Sequence, residues 1–392
     1  MTTTAQHDWP MVRLGDVCDI SIGKTPSRKN PAYWGSGHPW LSIKDMNQGT
    51  TLSSTAEQIT DLAVEETRPR LCAPGTVLFS FKLSIGKVGF AKIPLYTNEA
   101  IAALLPKDKT SLSNGYLFHA MKHYGATLEG NRAVMGQTLN KKSLGQVGFP
   151  LPPLEEQHRI AEIMDAVASL CVNQEQKVSR IRELVNTVTE QVAAEASDSI
   201  VFGELCDIQG GVSLGGLRKT YRETAPYLRV ANVFRNEVTL DEIKTVPVKE
   251  GETEKYSLRA GDILIVEGHG NREEVGRGAV LTTDLPGHVY QNHLFRARAK
   301  DDVPPEVLVR LWNSTPVRRQ LRRSVATTSG LNTTSISKIR SLEIPLPTES
   351  EQQTLLHLIK QHNDSLAIEN QRLHQLQELQ TVLSTRAFQG EL

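Results

Sequence analysis

The stretch LGDVCDISIGK (14–24) returns 188 residues later as FGELCDIQGGV (202–212). Gly15, Cys18, Asp19, Ile20 and Gly23 match Gly203, Cys206, Asp207, Ile208 and Gly211. HPWLSIKDM (38–46) is answered by APYLRVANV (225–233), LCAPGTVLFS (71–80) by LRAGDILIVE (258–267), and IGKVGFA (85–91) by VGRGAVL (275–281). Asn98 answers Asn292, Leu139 and Asn140 face Leu331 and Asn332, and Gln157 faces Gln352. The order holds over about 190 residues with offsets drifting only from 186 to 195, so the chain is two copies of one unit. At 392 residues it has room for two or three domains of ~100–200 residues, and each copy can own a core.

Within each copy, short apolar runs rich in β-branched and aromatic residues are separated by Gly, Pro, Asn and Asp: TVLFSF, VGFAKI and AIAALL, then DILIVEG, GAVLTT and NHLFRARA. This is the pattern of strands joined by turns. Helical stretches intervene at 114–125 and 304–323. A proline-punctuated junction, PLPPLEEQ (150–157) and PLPTESEQ (345–352), then opens a block of helical character. In the first block Ile160, Ile163, Val167, Leu170, Gln174, Val178, Ile181, Val185, Val188 and Val192 form a heptad seam with one stutter near Gln174. Residues 154–196 contain no Pro or Gly, and at 1.5 Å per residue they predict a rod of ~65 Å. In the second block Leu355, Ile359, His362, Leu366, Glu369, Leu373, Leu376 and Leu383 give a less clean seam.

A lone apolar stripe needs a partner, and the economical partner for each long helix is the other. The expected class is mixed α/β (α+β): two tandem globular domains separated by two long antiparallel coiled-coil helices, with an internal pseudo-twofold repeat. The expected boundaries are domain 1–152, helix 153–197, domain 198–347 and helix 348–392.

Net charge is zero, which taken alone argues against a nucleic-acid binder, but the charge is segregated. Residues 1–150 carry +5 and 199–345 carry +3, while the helical blocks 151–198 and 346–392 carry −5 and −3. Cys18, Cys72, Cys171 and Cys206 form no CxxC pair, which argues against a disulfide framework and a zinc ribbon and predicts small core residues. No apolar run approaches ~20 residues, and the N-terminus lacks a signal-peptide pattern. The expected location is cytoplasmic.

Fragments that resemble catalytic motifs fail on context. IGKT (22–25) lacks the first glycine of a phosphate-binding loop, because that position is Cys18. NPAYW (30–34) resembles the (D/N)PP(Y/F/W) tetrapeptide of amino-methyltransferases, but Ala32 replaces its second proline and no glycine-rich cofactor loop precedes it. His119 and His123 in HAMKH have i, i+4 spacing without a third ligand, and are expected on a helix surface. GDILIVEG (261–268) spaces two acids without a following lysine and reads as a core strand. The expectation is a non-catalytic chain with no metal and no cofactor of its own.

Binding remains. In the first copy basic and amide residues crowd the turns: Lys24, Arg28, Lys29 and Asn30; Lys44 and Asn47; Lys82 and Lys87; Arg132, Gln137, Asn140, Lys141 and Lys142. In the second they are Arg218 and Lys219; Arg229, Asn232, Arg235 and Asn236; His269, Asn271 and Arg272; Asn292, His293, Thr327, Thr328 and Asn332. Lys and Arg pair with phosphates, and Arg, Lys, Asn and Gln read base edges in the major groove. The copies agree at framework positions and differ here, KTPSRKNP against VSLGGLRK and KDMNQG against ANVFRN. Two divergent loop sets on one scaffold suit two different DNA sequences.

Over essentially its whole length the chain resembles the specificity subunit of type I restriction-modification enzymes. The resemblance is carried by the opening LGDVCDISIGKTPSRKNPAYWGSGHPWLSIKDM, the junction PLPPLEEQHRIAEIMD with its echo PLPTESEQQTLLHLI, the terminal STRAFQGEL and the duplication. It implies that each globular unit is a target-recognition domain reading one half of a bipartite site in double-stranded DNA. It implies that the helices are a spacer recruiting two methyltransferase subunits, joined by nuclease-translocase subunits. S-adenosylmethionine, ATP and magnesium would then belong to those partners. A solitary DNA methyltransferase or nuclease would act without partners, and a pure coiled-coil scaffold would leave the loop divergence and the charge segregation unexplained.

Overall fold

The structure, a computed structural model, describes residues 9–82, 84–135, 140–300, 303–328 and 331–392, with the side chains at 126, 127, 129–135, 217, 219 and 326–328 outside the description. It divides into two compact units, Met1–Gln174 with Arg372–Leu392, and Glu175–Gln371. Each unit joins one globular domain to part of each long helix.

The two domains share a strand plan. In the first, Cys18–Ile22, Ile101–Pro106, Val77–Ser80, Val88–Ala91 and Thr51–Leu52 lie side by side in that order; in the second, Cys206–Gly210, Leu294–Ala299, Asp262–Val266 and Gly278–Val280 do. A second sheet has Trp34–Leu41 antiparallel to Glu57–Ile59 and parallel to Tyr96–Thr97. Its counterpart has Glu223–Leu228 antiparallel to Lys244–Val248 and parallel to Val289–Tyr290. A two-stranded ladder closes each domain, Met11–Arg13 with Gly148–Pro150 and Asp198–Val201 with Glu343–Leu346. Mixed α/β domains and an internal repeat are what the structure contains.

Strand register sharpens the equivalence. Ile20 and Val77 both pair with Leu104, as Ile208 and Ile263 both pair with Ala297. Leu41 accepts from the Asn98 amide and Leu228 from the Gln291 amide, so Gln291, not Asn292, is the counterpart of Asn98. The match of Asn140 with Asn332 also shifts. Asn140 caps the helix Lys141–Gly145, Ser335 caps Ile336–Arg340, and Asn332 lies in a strand before that cap.

The repeated residues hold corners. Gly15 and Gly203 pass close to the short helix that ends each domain, where an added Cβ would lie 3.2 Å from the Gly145 and Arg340 carbonyls. Cys18 and Cys206 are buried, and burial pushes both thiols up to about 12, as for inert core residues. Gln157 donates to the Pro152 carbonyl at 2.8 Å and Gln352 to the Pro347 carbonyl at 2.9 Å. The junction recurs because each glutamine fastens the first turn of a long helix to the proline segment that delivers it.

The central helix runs Leu154–Glu195 and the C-terminal helix Glu349–Gln389. On the first, Leu170 is 52% exposed and Cys171 is buried, while Met164 is more deeply buried than Ile163. The seam is therefore Ile160, Met164, Val167, Cys171, Gln174, Val178, Ile181, Val185, Val188 and Val192, alternating steps of four and three. The expected stutter is absent, because it came from choosing the larger apolar residue at 170. On the second helix His362 and Glu369 are buried at 6% and 7% exposure. They fill regular seam positions between Leu355, Ile359, Leu366, Leu373, Leu376 and Leu383, whose burial ranges from full to partial.

The helices run antiparallel in each unit. In the first, Arg159 donates to the Leu392 carbonyl, and Ile160 and Met164 share a core with Ala387 and Phe388. In the second, Lys177 pairs with Glu369 at 2.9 Å, and Val185 and Ala193 share a core with Leu355 and Ile359. These cores are continuous with those of the domains, through Tyr116 and Phe149 in one and Phe202 and Trp312 in the other. Glu369 is a polar seam residue of the kind that specifies register at a cost in stability. Glu369→Leu should leave Tm unchanged or raise it, since Lys177 is half exposed and keeps its hydration. A drop in Tm in a thermal melt would show that the pair is a net stabiliser.

Candidate nucleic-acid interface

In the second unit three short strands, Gly268–His269, Leu331–Thr333 and Ala326–Thr328, form a small sheet. His269 pairs with Asn332, and Thr328 with Leu331. Asn332 Nδ2 donates to the Gly270 carbonyl at 2.9 Å, and His269 Nδ1 accepts from the Asn271 amide at 3.0 Å. Glu267 ties in the neighbouring segment, its amide donating to the His293 carbonyl and its carboxylate meeting the His293 ring at 2.6 Å. His269 and Arg272, the 292–293 segment and Asn332 thus approach one another from three stretches of sequence, together with the backbone of Thr328.

A basic cluster continues beside this sheet. Arg272 donates to the Arg322 carbonyl at 2.8 Å, Arg322 approaches the Glu273 carboxylate at 3.4 Å, and Arg235 lies 3.3 Å from Glu274. Arg318 is buried, donates to the Val275 and Glu273 carbonyls, and is pushed down to about 10 by burial. Arg319 and Arg323 of the same helix, Thr315–Ser324, are exposed. Sequence reading passed over these arginines, although the run VRRQLRR carried the signal: its apolar residues face inward, Arg318 and Arg322 lie against the turn 272–274, and Arg319 and Arg323 face solvent.

Three candidates of the second unit are engaged inside the domain. Arg218 makes a two-pronged ion pair with Glu252 at 2.8 and 2.9 Å and also donates to the Pro247 carbonyl. Asn232, 2% exposed, donates to the Thr239 and Glu242 carbonyls and accepts from the Arg229 amide. Arg229 lies 3.2 Å from Glu242.

In the first unit the candidates fall into smaller groups. Arg28 pairs with Glu57 through both guanidinium nitrogens and lies 3.7 Å over the Trp34 ring; the carboxylate holds the guanidinium above its ordinary pKa. Lys24 donates to the Thr67 carbonyl at 2.7 Å. Lys87 donates to Asn47 at 2.6 Å and to the Ile43 carbonyl at 3.4 Å. Its counterpart Arg277 binds the equivalent Val230 carbonyl and is buried, so a basic residue closes this turn in both copies. Lys29, Lys44 and Lys141 are exposed, Lys82 lies 5.3 Å from the Phe81 ring, and Asn140 is a helix cap. The side chains of Arg132 and Thr328 lie outside the description, and Gln137 lies outside the described residues.

The histidines of HAMKH are not on a helix surface. His119 is buried and meets Asp165 at 2.8 Å, and His123 meets Ser384 at 2.8 Å and stacks on Phe388. Both faces of their helix are covered, one by the sheet and the other by the long helices. Asp262 of GDILIVEG is fully buried against Arg298. Among the described residues no group of three or more His, Cys, Asp or Glu could hold a metal ion, and no helix is long and apolar enough to cross a membrane.

The chain matches the family model described as type I restriction modification DNA specificity domain twice, over residues 6–182 and 198–378. It is 30% identical over 195 residues to the type I restriction enzyme MjaIX specificity subunit of Methanocaldococcus jannaschii, covering 48% of the chain and 42% of that protein. It is 24% identical over 337 residues to the EcoKI specificity subunit of Escherichia coli K12, covering 79% and 72%. A type I restriction-modification S subunit from M. genitalium shares the fold at TM-score 0.52 and 13% identity, covering 99% of this chain and 98% of that one. A chain from a structure of type I R-M complex assembly and conformational transition does so at TM-score 0.59 and 18% identity, covering 98% of each. Matched in both halves and over most of its length, the chain belongs to the type I restriction modification DNA specificity family.

Proposed function

We propose that this chain is the non-catalytic recognition subunit of a type I restriction-modification complex, each domain reading one half of a bipartite, asymmetric site in double-stranded DNA. One observation carries the reading. A single strand plan is built twice, and the copies diverge in basic and amide-bearing loops while agreeing at the glycines and glutamines that hold the frame. Divergent loops carried on one repeated frame are what two different half-sites require.

The long helices would set the unread gap and recruit two methyltransferase subunits, with nuclease-translocase subunits completing the complex. Leu170 and Leu184 on the central helix, and Ile368, Leu379 and Val382 on the C-terminal helix, are large apolar side chains left exposed. Their spacings of 14, 11 and 3 residues place them along helix faces, as a docking partner would use them. S-adenosylmethionine, ATP and magnesium would be held by the partners, and the complex would work in the cytoplasm. Co-expression with the neighbouring methyltransferase and single-molecule mapping of methylated adenines tests the reading. Two unlike half-sites around a fixed gap are expected, and a continuous motif would overturn it.

Site chemistry separates the candidates. Lys29→Ala, Lys44→Ala and Arg323→Ala should each weaken DNA binding across all sequences and lower the salt slope by about one. Arg218→Ala should instead lower the Tm of the second domain, because it strands the partly buried Glu252 carboxylate. Salt-dependent binding titrations and thermal melts of the four variants decide between these roles. An unchanged salt slope in all three exposed variants would place the DNA on another surface.

A further inference from the structure

Within the second unit a cavity of about 340 Å³ opens between the end of the helix Pro305–Trp312, the turn at 235–237 and the two long helices. Its lining includes Arg182, Asn186, Arg310, His362 and Asn370, and Glu237 is the one carboxylate among the described lining residues.

Arg310 is the unusual member. A guanidinium has five N–H donors, yet this one makes a single hydrogen bond, to Asn186 Oδ1 at 3.2 Å, and has no ion pair among the described residues. It is partly buried, and that burial alone pushes it down to about 10, as for a cation partly removed from water without a counter-ion. Arg182 is only loosely held, 3.9 Å from Glu237. His362 is 6% exposed, and its Nε2 makes no hydrogen bond of normal geometry among the described residues, although the Ile181 carbonyl lies nearby. Burial first, and then the charges of Arg310 and Arg182, keep the imidazole below its ordinary value.

The first unit shows what is missing. His119 lies five residues into the helix Asn114–Met135, as Arg310 does in Pro305–Trp312. His119 Nε2 meets the carboxylate of Asp165, eight residues past Gln157. The residue eight past Gln352 is Lys360. In the second copy a permanent cation stands where the first has a histidine, and a lysine where the first has the carboxylate.

We propose that this cavity binds a small oxyanion of phosphate chemistry, held by the forks of Arg310 and Arg182, by amide donors of Asn186 and Asn370, and by His362 in its Nε2–H tautomer. Planar guanidinium forks suit phosphate oxygens, and a bound anion supplies the counter-charge that Arg310 lacks. The cavity shares the turn at Arg235 with the basic cluster of the second unit, and its other walls are the helix Pro305–Trp312 and the two long helices.

Calorimetric titration of the full chain with inorganic phosphate, at ionic strength matched with chloride, tests this. Saturable binding and a phosphate-dependent rise in Tm are expected. R310Q should weaken the affinity at least about tenfold, the loss of one charged hydrogen bond. It should also melt no lower than the parent without phosphate, since a partly buried charge without a counter-ion has gone. R180Q, at an exposed position outside the cavity, should bind as the parent does. Adenosine monophosphate titrated alongside distinguishes free phosphate from a phosphomonoester as the tighter ligand. Should R310Q fail to fold, N370L must show the weakening. No saturable heat with either probe, or equal binding by parent and variants, would overturn the site.

Discussion

Gly23→Ala is expected to unfold the first recognition domain, and Gly211→Ala the second, each leaving the other half-site still bound. A Cβ at Gly23 would lie 2.1 Å from the Asn98 carbonyl oxygen and 2.3 Å from that of Thr97; at Gly211 it would lie 2.2 Å from Tyr290 and 2.5 Å from Gln291. All four obstacles are backbone atoms, so no rotamer change relieves the clash. The strand would have to retreat, breaking Lys24 N to Thr97 O at 2.7 Å in one copy and Val212 N to Tyr290 O at 2.7 Å in the other. Overpacking and a lost buried hydrogen bond together cost about 3 kcal/mol or more, a large share of a domain stability of ~5–15 kcal/mol. Gly216→Ala has open space and should be neutral. Hydrogen exchange resolved by segment is the readout. Protection retained in strands 18–22 and 101–106 of the Gly23 variant would mean that the glycine is not required there.

These two glycines also show why so much of the fold was legible. A duplicated sequence prints its constraints twice, and what survives in both copies is what the backbone cannot change: Gly15 and Gly203 at the helix corner, Gly23 and Gly211 at the crossing, Gln157 and Gln352 at the helix entrance. The long helices were legible from periodicity alone. Their register was not, because an apolar scale favours Leu170 over Cys171, while packing favours whichever residue the neighbouring turns point inward. His362 and Glu369 looked like faults in a seam and are its buried polar members.

The candidate interface was less legible, since loop charge has no period. Lys87 and Arg218 resembled free cations and are internal braces, visible as such only when their carbonyl and carboxylate partners are brought in from 29 to 44 residues away. His269 and Asn332 did come together, but the sheet that joins them pairs segments 63 residues apart. Arg318 and Arg322 went unnoticed because helix geometry, not sequence proximity to a turn, places them beside Glu273.

Removing residues 174–180 from the central helix together with 366–372 from the C-terminal helix should shorten the gap between the half-sites while leaving both half-site sequences unchanged. The two segments are centred on Lys177 and Glu369, which pair at 2.9 Å, so the excision takes one heptad from each strand of the seam at the same level. Seven residues at 1.5 Å shorten each helix by ~10 Å, close to three base pairs at ~3.4 Å each. Because the seam alternates steps of four and three without a stutter, a heptad excision returns Val167 and Cys171 to phase with Val185 and Val188. Removing only 174–177 would instead leave the two parts of the central helix ~40° out of phase, strain the seam and lower the Tm. Methylation maps of the two variants separate length from phase. A shorter gap after the heptad excision, with Tm retained, is the outcome of a rigid ruler. An unchanged gap in a folded, active complex would mean that the partner subunits, and not these helices, fix the distance between the half-sites.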